Sequence, residues 1–367
     1  MKKILSLLLS LSFAGSTFAQ MSGYGSSHND GVALGANETT GAHGIALGNA
    51  VKMRGYLSTI VHRGYAHSSN DKNGFDGTLI NADTDFLIDF SPITAEIHLS
   101  LGDTDENSKA IIPSSDLLEQ AFGRYSFTSD MHLTFGRQAT VLGFDSDEPT
   151  NRYAITRAYQ SAVLGGHEKY ITSGKNYVDG IRFNYNNGTF GFVFGLHDTY
   201  FNRSNNRSNN DGNSSHQSEL NDGLGVDLAA SVLLFDGFEA RLGIATEEVK
   251  FENAAGSGNL ESDIDHQFNI ALIWKPGPLT LAWELDTFHR SNDINGWNSM
   301  LLANYAFTDF LSATLRYAHV DIEEQRSDIY TLAMLMAVSD HFDLNVEYNR
   351  VEGDDLNQFA VQGIVSY

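Results

Sequence analysis

From about Val51 to the last residue the chain falls into short segments of alternating apolar and polar residues, joined by connections that are in turn very short and long. A period of two sends successive side chains to opposite faces of a strand, and tight turns between such segments make neighbouring strands antiparallel. The short connections are Ser91-Pro92, Thr128-Ser129-Asp130, Asn186-Asn187-Gly188, Asp236-Gly237, Lys275-Pro276-Gly277-Pro278, Thr308-Asp309 and Ser339-Asp340-His341, all with turn chemistry. The long ones, roughly 66–78, 102–115, 140–176, 199–222, 251–263, 288–296, 321–327 and 352–355, are rich in Asn, Ser, Asp and Gly. Between them lie sixteen predicted strands: 51–65, 79–91, 93–102, 116–127, 131–139, 177–186, 189–198, 223–235, 238–250, 264–275, 279–290, 296–307, 310–321, 327–338, 341–351 and 356–367.

This pattern predicts an all-β chain, a transmembrane antiparallel β-barrel of about sixteen strands, with short periplasmic turns and long extracellular loops. Most segments have the nine to eleven residues that a tilted strand needs to cross the hydrocarbon. Phe268, Ile270, Leu272 and Trp274 share one face, and Gln267 and Asn269 the other. Aromatic residues flank the short turns (Phe90, Phe127, Phe190, Phe235, Trp274, Phe307 and Phe342 among them), as a girdle at the headgroup level requires. All five prolines, Pro92, Pro113, Pro149, Pro276 and Pro278, are expected in turns or loops, because a proline inside a closed ladder removes a backbone donor.

Residues 1–19 read as a secretory signal: Lys2 and Lys3, an apolar run from Ile4 to Phe13, then small Thr17 and Ala19. Residues 20–50 form a Gly-rich N-terminal extension, and 51–367 the barrel. The extension contains Val32-Ala33-Leu34-Gly35 and Ile45-Ala46-Leu47-Gly48, thirteen residues apart, which resemble the head repeats of trimeric autotransporter adhesins. Two copies are too few to build a repeat architecture. No later window has the apolar length of a membrane helix. The absence of cysteine excludes a disulfide framework and thiol chemistry, and a net charge of −23 argues against nucleic acid as a partner.

The remaining motifs are weak. Asn202 to Asn213 reads as a solvated loop, the thirteen histidines show no metal-ligand spacing, and no G-x-S-x-G elbow is present. No catalytic residue, metal site or cofactor is therefore assigned.

A family resemblance enters around the longest connection. Leu133-Thr134-Phe135-Gly136-Arg137, then a long third loop, then Val178-Asp179-Gly180-Ile181-Arg182-Phe183 resembles the corresponding stretch of sixteen-stranded general porins. Leu118 to Tyr159, with Gly143 and Pro149, also resembles the OmpL-like β-barrel porins. The resemblance implies a third loop folded into the lumen, with Asp145, Asp147 and Glu148 as loop acids facing basic wall residues. Arg137, Arg157, Arg124 and Arg182 are the basic candidates at this constriction. Alternation from Phe135 places Arg137 on the lipid face, so the expectation requires a bulge at Gly136 to turn it inward. Phe359 and the terminal Tyr367, on one face of the last strand, resemble the signature read by the outer-membrane barrel-assembly machinery.

Sixteen strands leave an aqueous channel where eight would be filled by side chains. The expected function is thus passive diffusion of small hydrophilic solutes and ions across the outer membrane, in contact with outer-membrane lipid, and the resemblance implies a homotrimer. Inward-facing Asp85, Asp89, Glu96, Asp227, Glu239, Glu247, Glu284, Asp286, Asp343 and Glu347 outnumber Arg124, Arg182, Arg241 and Arg316, so modest cation selectivity is expected. An outer-membrane hydrolase of the lipase type and a barrel adhesin are the alternatives.

Overall fold

The computed structural model describes residue 34 and residues 44–66, 75–102, 113–145, 149–159, 177–201, 224–252, 260–290, 294–322, 325–352 and 356–367. Its strands are β1 (Ile45–Ala46), β2 (Val51–Ala66), β3 (Phe75–Phe90), β4 (Ile93–Gly102), β5 (Pro113–Ser126), β6 (Met131–Ala139), β7 (Tyr177–Asn186), β8 (Phe190–His197) and β9 (Gly225–Phe235). Then come β10 (Phe238–Glu252), β11 (Leu260–Trp274), β12 (Leu279–Arg290), β13 (Ile294–Thr308), β14 (Leu311–Ile322), β15 (Gln325–Ser339), β16 (Phe342–Val351) and β17 (Leu356–Ser366). From β2 to β17 every strand pairs antiparallel with its sequence neighbours, and β17 returns to pair with β2 over Leu356↔Ala66 to Ser366↔Tyr56. The result is a closed sixteen-stranded barrel, whose closure leaves no strand from β2 to β17 at an open edge.

The predicted strands are met nearly residue for residue at the short-turn rim; at the other, several strands run longer than predicted, whereas β8 and β9 are shorter by one and two residues. β3 and β11 each begin four residues before the alternation announces them, in polar stretches where no apolar face marks a strand. Pro113 opens β5 instead of sitting in the preceding loop, at a first-residue position that a ladder tolerates. The signal segment 1–19 lies outside the described residues. In the 20–50 extension, β1 pairs with Met53 and Lys52 of β2, and the Leu34 carbonyl accepts a hydrogen bond from Asn186 Nδ2 at 2.9 Å.

The two faces of the wall are opposite in chemistry. Outside are large apolar side chains such as Phe90 (67% exposed) and Leu315 (63%), a surface suited to hydrocarbon. Inside, polar residues predominate, with Gln267, Asp286, Asn298 and Gln362 almost fully buried, beside an apolar patch that includes Met300, Leu302, Ala318 and Val320. The seam is closed by the terminal residue: Tyr367 exchanges backbone hydrogen bonds with Gly55 at 3.0 and 3.1 Å. Its hydroxyl lies 2.8 Å from Thr84 Oγ1 on the outer face.

Candidate pore constriction

After β6 the chain turns into the barrel, and the segment Val141–Tyr159, here loop 3, lies along the inner wall from β10 to β17. Of this segment, residues 146–148 are outside the described residues, so the expected loop acids Asp147 and Glu148 are too. Phe144 stacks on Tyr153 at 5.9 Å, and Pro149–Asn151 forms a single 3-10 turn. With Ala158 and Tyr159, Tyr153 covers inward-facing Met300, Leu302, Ala318 and Val320 in one apolar cluster. Farther on, Ile155 meets Ala360 of β17, beside Ile60 of β2.

Wall side chains hold the loop by its backbone. The Glu284 carboxylate on β12 accepts the Phe144 amide at 2.7 Å, the Tyr159 hydroxyl at 3.2 Å and Asn269 Nδ2 at 2.9 Å. Burial, reinforced by Glu284, raises the Tyr159 phenol well above its ordinary value, so it stays a donor. On β16, Glu347 accepts the amides of Ile155 and Thr156 and, at 2.6 Å, the Thr156 hydroxyl. Arg316 on β14 donates to the carbonyls of Thr156 (2.7 Å) and Arg157 (3.1 Å) and to Thr156 Oγ1 (2.9 Å). Asn349 Nδ2 also donates to that hydroxyl at 3.2 Å, so Thr156 Oγ1 gives one hydrogen bond and accepts two, its full capacity. These bonds involve charged partners away from water, the class worth most per bond.

Asp145 is buried in the same network. It accepts the Ala158 amide at 2.6 Å, closing loop 3 on itself, and stands 3.7 Å from Arg316. An acidic loop residue does face a basic wall residue, but the partner is Arg316, which the sequence put on the inner face, and not any of the four arginines expected at the constriction. Among those, Arg157 sits on the loop, half-buried, with its carbonyl on Arg316.

Arg124 and Arg182 occupy the other arc of the wall, where carboxylates are paired with arginine and histidine side chains. Arg54 donates to Asp85 at 2.9 Å, and His98 places Nδ1 2.9 Å from Asp85 and Nε2 3.0 Å from Glu96. Arg124 stands 3.5 Å from Glu96; Arg182 and His197 stand 3.1 and 3.2 Å from Asp227. Arg182 also donates to the Ala139 carbonyl where loop 3 begins, at 2.8 Å.

Arg137 differs from its expectation. Gly136 takes a positive φ of 118°, but the ladder runs through Phe122↔Gly136 and Ala121↔Arg137 without a shift. Thr134 and Gln138 stay on the inner face, 2.6 Å apart, while Phe135 is half exposed outside. No extra residue is inserted, so the phase does not change and Arg137 remains on the outer face, opposite Asp179 of β7. The register also leaves Phe359 outside, half exposed.

Sequence reasoning placed Glu284, Arg316 and Glu347 on the inner face but gave them no part in holding the loop, and it missed Thr156 and Asn349 altogether. The inward register of Asn349 was legible. What it touches depends on a loop whose path was not.

No family model matches the chain, and no curated protein does. Solved structures do. The barrel is similar to OprB of Pseudomonas putida at 12% identity and a TM-score of 0.63, over 87% of this chain and 94% of that one. An anion-selective porin from Comamonas acidovorans follows at 14% identity and 0.55, over 87% and 99%. The trimer form of OmpT, an outer membrane protein of Vibrio cholerae, matches at 12% and 0.54, over 87% and 100%. The chain therefore has the fold of the outer-membrane porins.

Proposed function

We propose that the protein is an outer-membrane channel for passive diffusion of small hydrophilic solutes and ions, with loop 3 setting its bore and no chemical step. The observation that carries this reading is the seating of loop 3 inside a closed barrel, on Glu284, Arg316 and Glu347. A strand wall that is apolar outside and mostly polar inside supports the same reading. Toward the short-turn rim a cavity lies against the 3-10 turn, lined by Arg152, Ser312, Asp343 and Asn345 together with apolar Phe310 and Met336. Liposome swelling tests it: proteoliposomes should swell in small sugars and fail to swell above a size limit. Liposomes that stay tight to all sugars and to salt would refute it.

Modest cation preference belongs to the proposal, supported by the excess of inward carboxylates over arginines. Much of that charge is engaged locally, which argues for a small preference. A reversal potential across a KCl gradient measures it; anion preference at low salt, where screening is weakest, would overturn this part alone.

Tyr367 is read as part of the signal for outer-membrane assembly, in a homotrimer, the trimer form being that of the Vibrio cholerae protein. Because its hydroxyl also bonds Thr84, the test uses two variants. Tyr367→Phe should assemble normally and Tyr367→Asp poorly, with export intact for both. Equal surface levels would count against the signal.

A further inference from the structure

We infer that Thr199–Phe201, just after β8, is a second constriction element that clasps the root of loop 3 against β10; this rests on the channel reading above. The sequence places residue 199 at the start of a long solvated loop, yet Tyr200 is completely buried and Phe201 nearly so. The cause is Glu247, on the inner face of β10. Its carboxylate accepts the Tyr200 amide at 2.9 Å, the Phe201 amide at 2.8 Å and the Thr199 hydroxyl at 3.0 Å. Two successive amides on one carboxylate turn the chain inward and point both rings into the barrel. Tyr200 and Phe201 meet edge to face, 4.9 Å apart, and Tyr200 lies 5.9 Å from the His197 ring.

What these rings cover is the start of loop 3. Leu142, Val178, Tyr200, Phe201 and Ala245 form one buried apolar cluster, with Val141 packed on it. The wall is thinned to admit both segments. A Cβ at Gly225 would lie 2.9 Å from the Tyr200 nitrogen, and one at Gly243 3.1 Å from Leu142 Cγ. Loop 3 is thus held at two places by unlike means: polar bonds to Glu284, Arg316 and Glu347 along its length, and an apolar clasp at its root. The same device recurs at Glu247 and Glu347, a wall glutamate that captures consecutive loop amides. Tyr200, Phe201 and Glu247 are positioning residues for the bore.

Tyr200→Ala and Leu142→Ala test the clasp without altering charge. In planar bilayers each should give larger conductance with excursions to still larger states, at an unchanged reversal potential, and the double variant should add little to either. Glu247→Ala, which removes an acceptor of three hydrogen bonds, should make such excursions about tenfold more frequent, and Glu247→Gln should fall between it and the parent. Wild-type conductance and noise in Tyr200→Ala and Leu142→Ala, or independent additive effects, would overturn the clasp. Limited chymotrypsin cleavage at Phe144 and Tyr153 reads the clasp apart from conduction, since it tracks the released population of loop 3. If the parent does not conduct but Tyr200→Ala exposes these sites, the channel reading fails and the clasp stands. If cleavage is unchanged, the clasp fails. Heat-modifiable migration in gels verifies that each barrel is folded.

Discussion

The two arcs of the inner wall use the same residue type in opposite ways. From β12 to β16, Glu284 and Glu347 spend their oxygens on backbone amides of loop 3. From β2 to β9, Asp85, Glu96 and Asp227 face arginine and histidine side chains. All five sit on the inner register and are nearly buried, so register does not separate an anchor from an ion-pair partner. What separates them is what lies opposite: a returning loop on one arc, arginine and histidine side chains of the wall on the other. An anchor should therefore control the size of the path, and a paired acid should control wall stability and field.

The largest effect is expected at Glu347. Glu347→Ala removes the acceptor of two amides and the Thr156 hydroxyl, loosening the loop by about 3 kcal/mol for charge-assisted bonds lost together. Liposome swelling should then admit larger sugars while the barrel remains heat-modifiable. A smaller loss, about 1–2 kcal/mol, is expected for Thr156→Val, which keeps the shape of the side chain but removes its hydroxyl; its size limit should fall between those of parent and Glu347→Ala. On the other arc, Glu96→Gln leaves Arg124 and His98 with a neutral partner. It should lower the thermal midpoint of the barrel and shift the reversal potential, and leave the size limit where it was. A size limit that moves as far as in Glu347→Ala would erase the distinction between the arcs. Smallest of all is Arg137→Gln, expected within about 0.5 kcal/mol of the parent and without change in reversal potential, as for a residue outside the lumen. A changed reversal potential would place Arg137 in the lumen after all.

The barrel was largely legible because a period of two and a regular turn spacing are local properties. Gln267, Asn269 and the inward carboxylates could be assigned by counting alone, and the girdle aromatics by their distance from each turn. The seat of loop 3 was not legible, because Thr156 meets Glu347 and Arg316 across 191 and 160 residues. Its composition also carries no period. Arg137 shows the limit from the other side: the alternation had already placed it outside, and expecting it in the lumen required a bulge that the continuous ladder does not contain. The clasp at Tyr200 was hidden for a related reason, since two aromatic residues at the head of an Asn- and Ser-rich stretch read as part of that stretch until Glu247 is placed beneath them.

Single-channel conductance of the parent, Glu347→Ala and Glu96→Gln, measured side by side in planar bilayers, tests the central claim most directly. The parent should show stable steps, Glu347→Ala larger and noisier ones, and Glu96→Gln steps of nearly parental size. A parent that does not conduct, or a Glu347→Ala channel identical to it, would contradict a bore set by loop 3 on the β12–β16 wall.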